Sequence, residues 1–274
     1  MRVVAIADLH TDSIVGLAPK GRGSDIGRPI RDAIYQKWCE ATSGPWKNPD
    51  VLIVDGDIVE GQNRKSGGLG VITTDLYEQM ADAVDLLKMW KAKKIYIIRG
   101  SGYHVEADHS GIQCEEQIAR NLGAEEYPNQ EHIDPERRDH SGWHWYISVG
   151  PETFHASHHI AVSKVFHYMS TPTARAMLDA KLNDMLRHEL GKFRTSIVLR
   201  AHAHYFNHVE YSSSHGFVLP CWKAVDEFGA KRGAISLSPD IGYLGFEIGK
   251  GGMRYEKRLV RLTDVQAAPH TIVK

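Results

Sequence analysis

The chain has 274 residues, which is long enough to bury a substantial hydrophobic core in one large α/β domain. Its 33 basic residues nearly balance its 34 acidic residues, which excludes the strong overall positive charge of an avid nucleic-acid binder but leaves room for a local basic groove. Three widely spaced cysteines and the lack of any run of about 18 apolar residues predict a soluble, cytoplasmic protein without a disulfide framework.

Three apolar segments in the first hundred residues predict β-strands, at residues 2–7, 51–55 and 95–98. Each is followed at once by acidic residues, histidine or glycine. These following groups are Asp8-Leu9-His10, Gly56-Asp57 and Gly100-Ser101-Gly102-Tyr103-His104. Strands that end in such residues are a common way to place chemistry at the edge of a sheet, so we expect one shared polar site.

Helical periodicity fills the segments between these strands. Residues 30–42 and 76–90 carry apolar side chains every three or four positions, which is typical of helices that cover one face of a sheet. Asp75 starts a capping box before the second of these helices. Residues 110–122 predict a further helix, which ends at Gly123.

The second half of the chain is richer in predicted strands. Residues 143–149 and 153–156 predict a hairpin whose second strand runs into a group of histidines, and residues 171–191 predict a helix. Further strands are predicted at residues 197–200, 206–211, 216–219, 243–248 and 255–262. The first of these leads into His202-Ala203-His204. Alternating strands and helices followed by a run of strands predict a layered α/β sandwich, with a second sheet completed late by strands within residues 224–274.

Taken in order, the polar groups are Asp-x-His, Gly-Asp, a glycine-rich segment ending in histidine, a lone histidine and His-x-His. In this order, and at strand ends, the sequence resembles the calcineurin-like metallophosphoesterases over residues 2–223, with a weaker likeness to members carried by phages and prophages. The resemblance implies a single domain over residues 1–274 with a motif-bearing core over about residues 1–223. The implied fold is a four-layer αββα sandwich of two mixed β-sheets flanked by helices.

The resemblance also implies two divalent metal ions, with Mn²⁺ as the first choice and Fe, Zn or Ni as alternatives. The ligands it implies are Asp8, His10 and His204 for one ion, His158 and His202 for the other, and Asp57 as a bridge between them. A hydroxide held by both ions would attack the phosphorus of a phosphate ester. His104 would stabilise charge or protonate the leaving oxygen.

The sequence departs from this family at one ligand. The family usually has Gly-Asn-His where this chain has Gly100-Ser101-Gly102-Tyr103-His104, which is two residues longer and lacks asparagine. Either Ser101 serves as a weaker ligand, or the extra residues let His104 approach the metal. The lone histidine is also open: we choose His158, with His159 as the alternative. Glu60 stands where aspartate is common and is expected to support a ligand.

The substrate implied is a phosphate ester, and two reactions remain open, hydrolysis of a phosphodiester and of a phosphomonoester. Nucleic acid or a nucleotide is a candidate substrate, because residues 231–261 contain several lysines and arginines that could follow a phosphate backbone. Loops at residues 11–29, 61–73 and 124–141 are expected to line the mouth of the site.

A competing hypothesis is a non-catalytic binding or assembly module that keeps the fold. The oligomeric state is left open by the sequence. The histidines predicted to be ordinary surface or packing residues are His109, His132, His140, His144, His167, His188, His208, His215 and His270.

Overall fold

In the computed structural model, the described residues are 1–63, 67–105, 112–128, 138–163, 165–188, 194–212, 214–226, 239–260 and 262. The strands are β1 (Arg2–Ala7), β2 (Val51–Asp55), β3 (Lys94–Ile98), β4 (Ser141–Gly142), β5 (Trp145–Val149), β6 (Glu152–Ala156), β7 (Ile197–Arg200), β8 (Asn207–Tyr211), β9 (Ser214–Val218), β10 (Ile241–Gly249) and β11 (Gly252–Val260). The α-helices are α1 (Arg28–Ser43), α2 (Leu76–Lys88), α3 (Gly102–Val105), α4 (Cys114–Leu122) and α5 (Thr171–His188).

Some predicted features lie outside the described residues. They are the first two residues of the helix predicted at 110–122, positions 64–66 and 129–137 of two predicted loops, the end of the helix predicted at 171–191, the basic residues Lys231, Arg232 and Arg261, and the histidines His109, His132 and His270.

The first sheet has six strands in the order β11-β10-β1-β2-β3-β4. The four strands from β1 to β4 are parallel, whereas β10 is antiparallel to β1, and β11 is antiparallel to β10. Parallel neighbours need a crossover connection, and α1 and α2 provide the first two of these. All four parallel strands therefore present their carboxyl ends at one edge of the sheet.

The second sheet has five strands in the order β5-β6-β7-β9-β8. It is also mixed, because β6, β7 and β9 run parallel while β5 and β8 are antiparallel edge strands. The hairpin predicted from residues 143–156 is present as β5 and β6. Both sheets are thus mixed, as predicted.

The prediction that the C-terminal strands complete the second sheet is wrong. β10 pairs with β1, and both β10 and β11 belong to the first sheet. The physical reason is burial on both faces of β10: Leu244 and Phe246 face the other sheet, whereas Tyr243 faces the helices. Inside the first sheet, β10 meets the helix layer on one side and the core between the sheets on the other. Its hydrogen-bonding partner, more than 230 residues away in sequence, leaves no local signal.

Alternating side chains create the four layers. Along β1, Val4 and Ile6 pack against the helices α1, α2 and α4, whereas Val3 and Ala5 pack into the core between the two sheets. A smaller cluster that includes Met177 seats α5 on the outer face of the second sheet. The predicted four-layer αββα sandwich is therefore confirmed.

The helix ends follow the predicted chemistry. Asp75 caps α2, because its side chain accepts hydrogen bonds from the backbone N–H groups of Tyr77 and Glu78. Gly123 ends α4 in the left-handed conformation, with φ of 63°. In the part of the chain that the structure describes, no helix combines the length and the apolar character needed to cross a membrane.

Candidate metal centre

The predicted site residues follow five strands that end at a common edge of the sandwich. Asp8 and His10 follow β1, Asp57 follows β2, and Ser101 and His104 follow β3. From the second sheet, His158 follows β6, and His202 and His204 follow β7. The side chains meet because the strands within each of these two sets are parallel.

The backbone at these positions is unusual. The left-handed region, which non-glycine residues rarely adopt, holds Asp8 (φ 50°), His10 (φ 47°), Asp57 (φ 47°), His202 (φ 68°) and His204 (φ 58°). Backbone hydrogen bonds hold part of this geometry, since Asp8 N donates to Gly56 O at 3.1 Å and His10 N donates to Asp57 O at 3.0 Å. Such conformations persist only where the surrounding structure enforces them, and they concentrate at functional sites.

The first group of candidate ligands consists of Asp8, His10 and His204. His10 Nε2 and His204 Nε2 lie 3.1 Å apart, and Asp8 Oδ1 lies 3.3 Å from His204 Nε2 and 3.8 Å from His10 Nε2. Asp8 Oδ1 is buried and receives no hydrogen bond from the described residues. Two nitrogens and one oxygen therefore converge on the same small volume.

The second group consists of Asp57, His158 and His202. Asp57 Oδ2 lies 3.2 Å from His158 Nε2 and 3.9 Å from His202 Nδ1. His158 Nδ1 donates to Asp55 O at 2.8 Å, so Nε2 is the nitrogen that carries the lone pair when the imidazole is neutral. That Nε2 is buried and, among the described residues, has no hydrogen-bond partner.

Of the two alternatives for the lone histidine, the structure places His158 in this group. His159 is exposed and does not belong to any cluster of three potential ligands found among the described residues. Its ring centroid lies 5.3 Å from that of His158 and 5.2 Å from that of His202. His159 therefore borders the centre from outside.

Ser101 and His104, the two alternatives for the missing asparagine, both lie at the centre. Ser101 donates to Asp57 from its backbone N–H, at 2.6 Å from Oδ1, and from its hydroxyl group, at 3.0 and 3.1 Å from the two carboxylate oxygens. His104 forms a third cluster with His10 and Asp57, and its ring packs edge-on against His10. His104 Nδ1 donates to Glu60 O at 2.6 Å, which fixes the ring by this nitrogen.

Electrostatics at the centre favour ionised carboxylates beside positive charge. Burial raises the pKa of Asp8, but the imidazoles of His204 and His158 outweigh burial and hold that pKa below its ordinary value. His158 likewise overcomes burial to hold the pKa of Asp57 well below its usual range. Burial opposes charge on His158 and His204 as well, yet the adjacent carboxylates raise the pKa of both. The centre therefore requires positive charge, which either protons or a metal can supply.

A buried ion pair orients His10. His10 Nδ1 donates to Glu60 Oε2 at 2.9 Å, and Lys223 Nζ donates to both Glu60 oxygens at 3.0 Å. Burial and the Lys223 ammonium lower the pKa of His10 to about 4, so its imidazole is neutral near pH 7 and can offer Nε2 as a ligand. The expected supporting contact from Glu60 is thus present.

Two supporting residues had no recognisable signal in the sequence. Lys223 lies 19 residues after His204 and belongs to no motif, and Glu115 lies inside the amphipathic helix α4. Glu115 is fully buried and accepts hydrogen bonds from Gly100 N at 2.7 Å and from Ile58 N at 3.3 Å. Its carboxylate therefore joins the loops after β2 and β3, which carry Asp57 and Ser101.

The residues present fit divalent metal ions. Imidazole nitrogens and carboxylate oxygens suit Mn, Fe, Zn and Ni. Unpartnered buried atoms, Asp8 Oδ1 and His158 Nε2, point into the centre from the two groups and lie 3.8 Å apart. Buried polar atoms normally have partners, so an ion in each group would account for both.

No family model matches the sequence, and a search of curated proteins found no match. Among solved structures, the chain is similar to a variant of Vps29 from Entamoeba histolytica, with 11% identity, a TM-score of 0.43 and coverage of 95% of this chain and 100% of that chain. It is similar to an archaeal phosphodiesterase, with 13% identity, a TM-score of 0.42 and coverage of 94% and 100%. It is also similar to YfcE, a phosphoesterase from E. coli, with 9% identity, a TM-score of 0.39 and coverage of 90% and 88%. Similarity at this level concerns overall architecture and assigns no activity by itself.

Proposed function

We propose that this protein is a metal-dependent phosphoesterase with two metal ions at the shared strand edge. One observation carries the proposal: two three-residue ligand groups lie side by side, and a buried atom without a partner points from each into the space between them. Asp8, His10 and His204 would hold one ion, and His158 and His202 the other. Asp57 would bridge them, and Mn²⁺ is our first choice of metal.

When bound, two divalent ions supply Lewis-acid stabilisation of phosphoryl oxygens and a water of lowered pKa. The protein's own contribution is orientation. Ser101 and the loops joined by Glu115 fix the Asp57 carboxylate, and the Glu60 contact fixes the His10 ring. Because these groups lie on strand ends and are held by buried hydrogen bonds, they are positioned before substrate arrives.

His104 is the proposed acid. Its Nδ1 donates to Glu60 O, so the opposite nitrogen, Nε2, is the atom that can carry an exchangeable proton to a leaving oxygen. The cluster that it forms with His10 and Asp57 keeps it within the centre. Ser101 is proposed to support Asp57 by hydrogen bonding, since its hydroxyl faces both carboxylate oxygens.

A cleft next to the centre favours a phosphodiester substrate over a monoester. The cleft has a volume of about 1020 Å³, and Ser157 and His159, the neighbours of His158, line it. Arg175, Arg200 and several aromatic rings line it too, together with two carboxylates. This space can accept the second substituent of a diester, and guanidinium groups suit additional phosphate charge, as in a nucleotide or nucleic acid.

The test is a metal-reconstitution assay. The protein is stripped with a chelator, Mn²⁺ is added back, and hydrolysis of bis(4-nitrophenyl) phosphate is compared with that of 4-nitrophenyl phosphate. We expect Mn²⁺-dependent turnover, faster for the diester, that is lost in Asp57→Asn and kept in Asp25→Asn, which changes an exposed carboxylate. Asparagine tolerates the left-handed backbone at position 57, so the substitution tests the charge.

The competing hypothesis is a binding or assembly module without catalysis. If stripped and reconstituted protein binds Mn²⁺ but hydrolyses neither ester, the proposed catalysis is contradicted and the proposed metal binding is supported. If Mn²⁺ does not bind at all, both parts of the proposal are contradicted.

A further inference from the structure

A second set of metal-binding side chains lies on the edge hairpin of the second sheet. His208, Glu210 and His215, which we call the edge cluster, form a group of three potential ligands separate from the residues of the metal centre. His208 and Glu210 are on β8, and His215 is on β9. Nothing in the proposed phosphoesterase reaction uses them.

Strand register puts the three side chains on one face. Glu210 is directly opposite His215, and His208 is directly opposite Phe217, in the antiparallel pair β8 and β9. Residues two apart on a strand face the same way, so His208 and Glu210 share a face, and so do His215 and Phe217. The cluster is therefore built on paired strands rather than on loops, which gives ligand positions precision.

The distances suit one ion. His208 Nε2 and His215 Nδ1 lie 3.3 Å apart, and Glu210 Oε2 lies 3.9 Å from His215 Nδ1. Two imidazole nitrogens that bind one tetrahedral zinc at about 2.0–2.1 Å stand roughly 3.3 Å from each other. The spacing is close to the 3.1 Å between His10 Nε2 and His204 Nε2 in the metal centre.

Neighbouring aromatic residues orient the His208 ring. The Tyr255 hydroxyl lies 3.0 Å from His208 Nδ1, and the Phe217 ring stacks on the imidazole with centroids 4.4 Å apart. When Nδ1–H donates to the phenol oxygen, Nε2 turns a lone pair towards His215, as outer partners of metal-bound histidines commonly arrange.

We propose that the edge cluster binds one late first-row divalent ion, with Zn²⁺ preferred and Ni²⁺ as the alternative. Two imidazoles and one carboxylate leave a fourth position for water, as in three-ligand zinc sites. The ion would fasten the edge strand β8 to β9. Through Tyr255, which lies on β11, it would also connect the second sheet to the first at their rim.

The test counts ions on the full chain. Chelator-treated protein is titrated with Zn²⁺ by calorimetry, and the bound metal is measured after removal of free ion. Native protein is compared with His215→Gln and Glu210→Gln. The matched control is His144→Gln, because His144 and His155 form another imidazole pair, with nitrogens 3.4 Å apart, that belongs to no three-ligand cluster among the described residues.

We expect His215→Gln to bind one Zn²⁺ fewer than native protein, and Glu210→Gln to bind the same ion about tenfold or more weakly. His144→Gln should bind as many Zn²⁺ ions as native protein, and the two edge-cluster variants should keep native Mn²⁺-dependent turnover. Co²⁺ gives a second readout, because the absorption band of a tetrahedral site should be lost only in the edge-cluster variants.

Equal Zn²⁺ counts in native protein and His215→Gln would overturn the proposal and leave an imidazole-to-imidazole hydrogen bond only. An equal loss in His144→Gln would also overturn it, since any histidine pair would then suffice. The comparison is between variants that share an intact metal centre, so its outcome does not depend on the phosphoesterase proposal.

Discussion

His10 and His204 are 194 residues apart in sequence, yet their Nε2 atoms face each other at 3.1 Å. His10 Nδ1 is occupied by Glu60, and the His10 ring is neutral near pH 7. Two imidazole lone pairs at this distance repel each other unless a cation lies between them or beside them. The pair therefore needs either a proton on His204, whose pKa the Asp8 carboxylate raises against the effect of burial, or a metal ion.

The first prediction concerns this pair. His204→Ala should weaken Mn²⁺ binding at one of two sites by more than about 100-fold, because even outer partners of metal ligands contribute 10- to 100-fold. Calorimetric titration of the chelator-treated protein measures the change. His167→Ala, which removes an exposed imidazole, is the control and should bind Mn²⁺ as native protein does. Unchanged binding in His204→Ala would remove His204 from the ligand set.

The second prediction uses two glycines of the same loop. A Cβ atom at Gly100 would lie 2.2 Å from both the backbone nitrogen and Oδ1 of Asp57, whereas a Cβ at Gly102 would have no atom within 4 Å. Gly100→Ala should lower the free energy of unfolding by about 2–3 kcal/mol and impair Mn²⁺ binding, because Asp57 must move.

The matched variant Gly102→Ala lies at the start of α3 and should be neutral or stabilise by up to about 1 kcal/mol. Urea unfolding and Mn²⁺ titration of both variants check the contrast. Equal behaviour of the two variants would mean that the close approach of Gly100 to Asp57 is unimportant.

The third prediction compares two lysine ion pairs. Lys223→Met leaves the buried Glu60 carboxylate without its ammonium partner, so we expect a loss of about 3–5 kcal/mol in the free energy of unfolding. Lys94→Met breaks the exposed pair with Glu125 at 3.1 Å and should leave the free energy of unfolding nearly unchanged, because solvent screens an exposed ion pair. Chemical denaturation of both variants gives the comparison, and a similar cost for the two would contradict the role assigned to Lys223.

The fourth prediction concerns pH. Burial opposes ionisation of Glu60, but Lys223 and His10 outweigh it and lower the Glu60 pKa from 4.5 to about 2. Because the folded pKa lies below the unfolded one, ionised Glu60 stabilises the fold above about pH 4.5, and this contribution is lost as the pH falls towards 2.

The difference in free energy of unfolding between native protein and Glu60→Gln should therefore shrink as the pH falls from about 4.5 to about 2, the two pKa values of Glu60. Urea denaturation at several pH values measures it. A difference that stays constant through this range would show that Glu60 does not titrate with a lowered pKa.

Much of the fold could be predicted locally. The strand at 51–55 and the capped helix α2 were predictable because alternation, helical periodicity and capping depend on neighbouring residues. The sheet assignment of β10 was not, since its partner β1 is at the other end of the chain. Glu115 and Lys223 escaped prediction for the same reason: a carboxylate inside a helix and a lone lysine gain their roles only from distant neighbours.

The sequence by itself determined which residue types stand at each strand end, and hence the metal-ligand chemistry that the chain can offer. Tertiary structure alone decided that His158 rather than His159 faces Asp57, that Ser101 bonds to the Asp57 carboxylate, and that His208 meets His215 across a hairpin. The physical reason is that the amino-acid type at each position is given directly by the sequence. Distances of 3 to 4 Å between side chains depend instead on strand pairing and side-chain direction, which are set by contacts between residues remote in sequence.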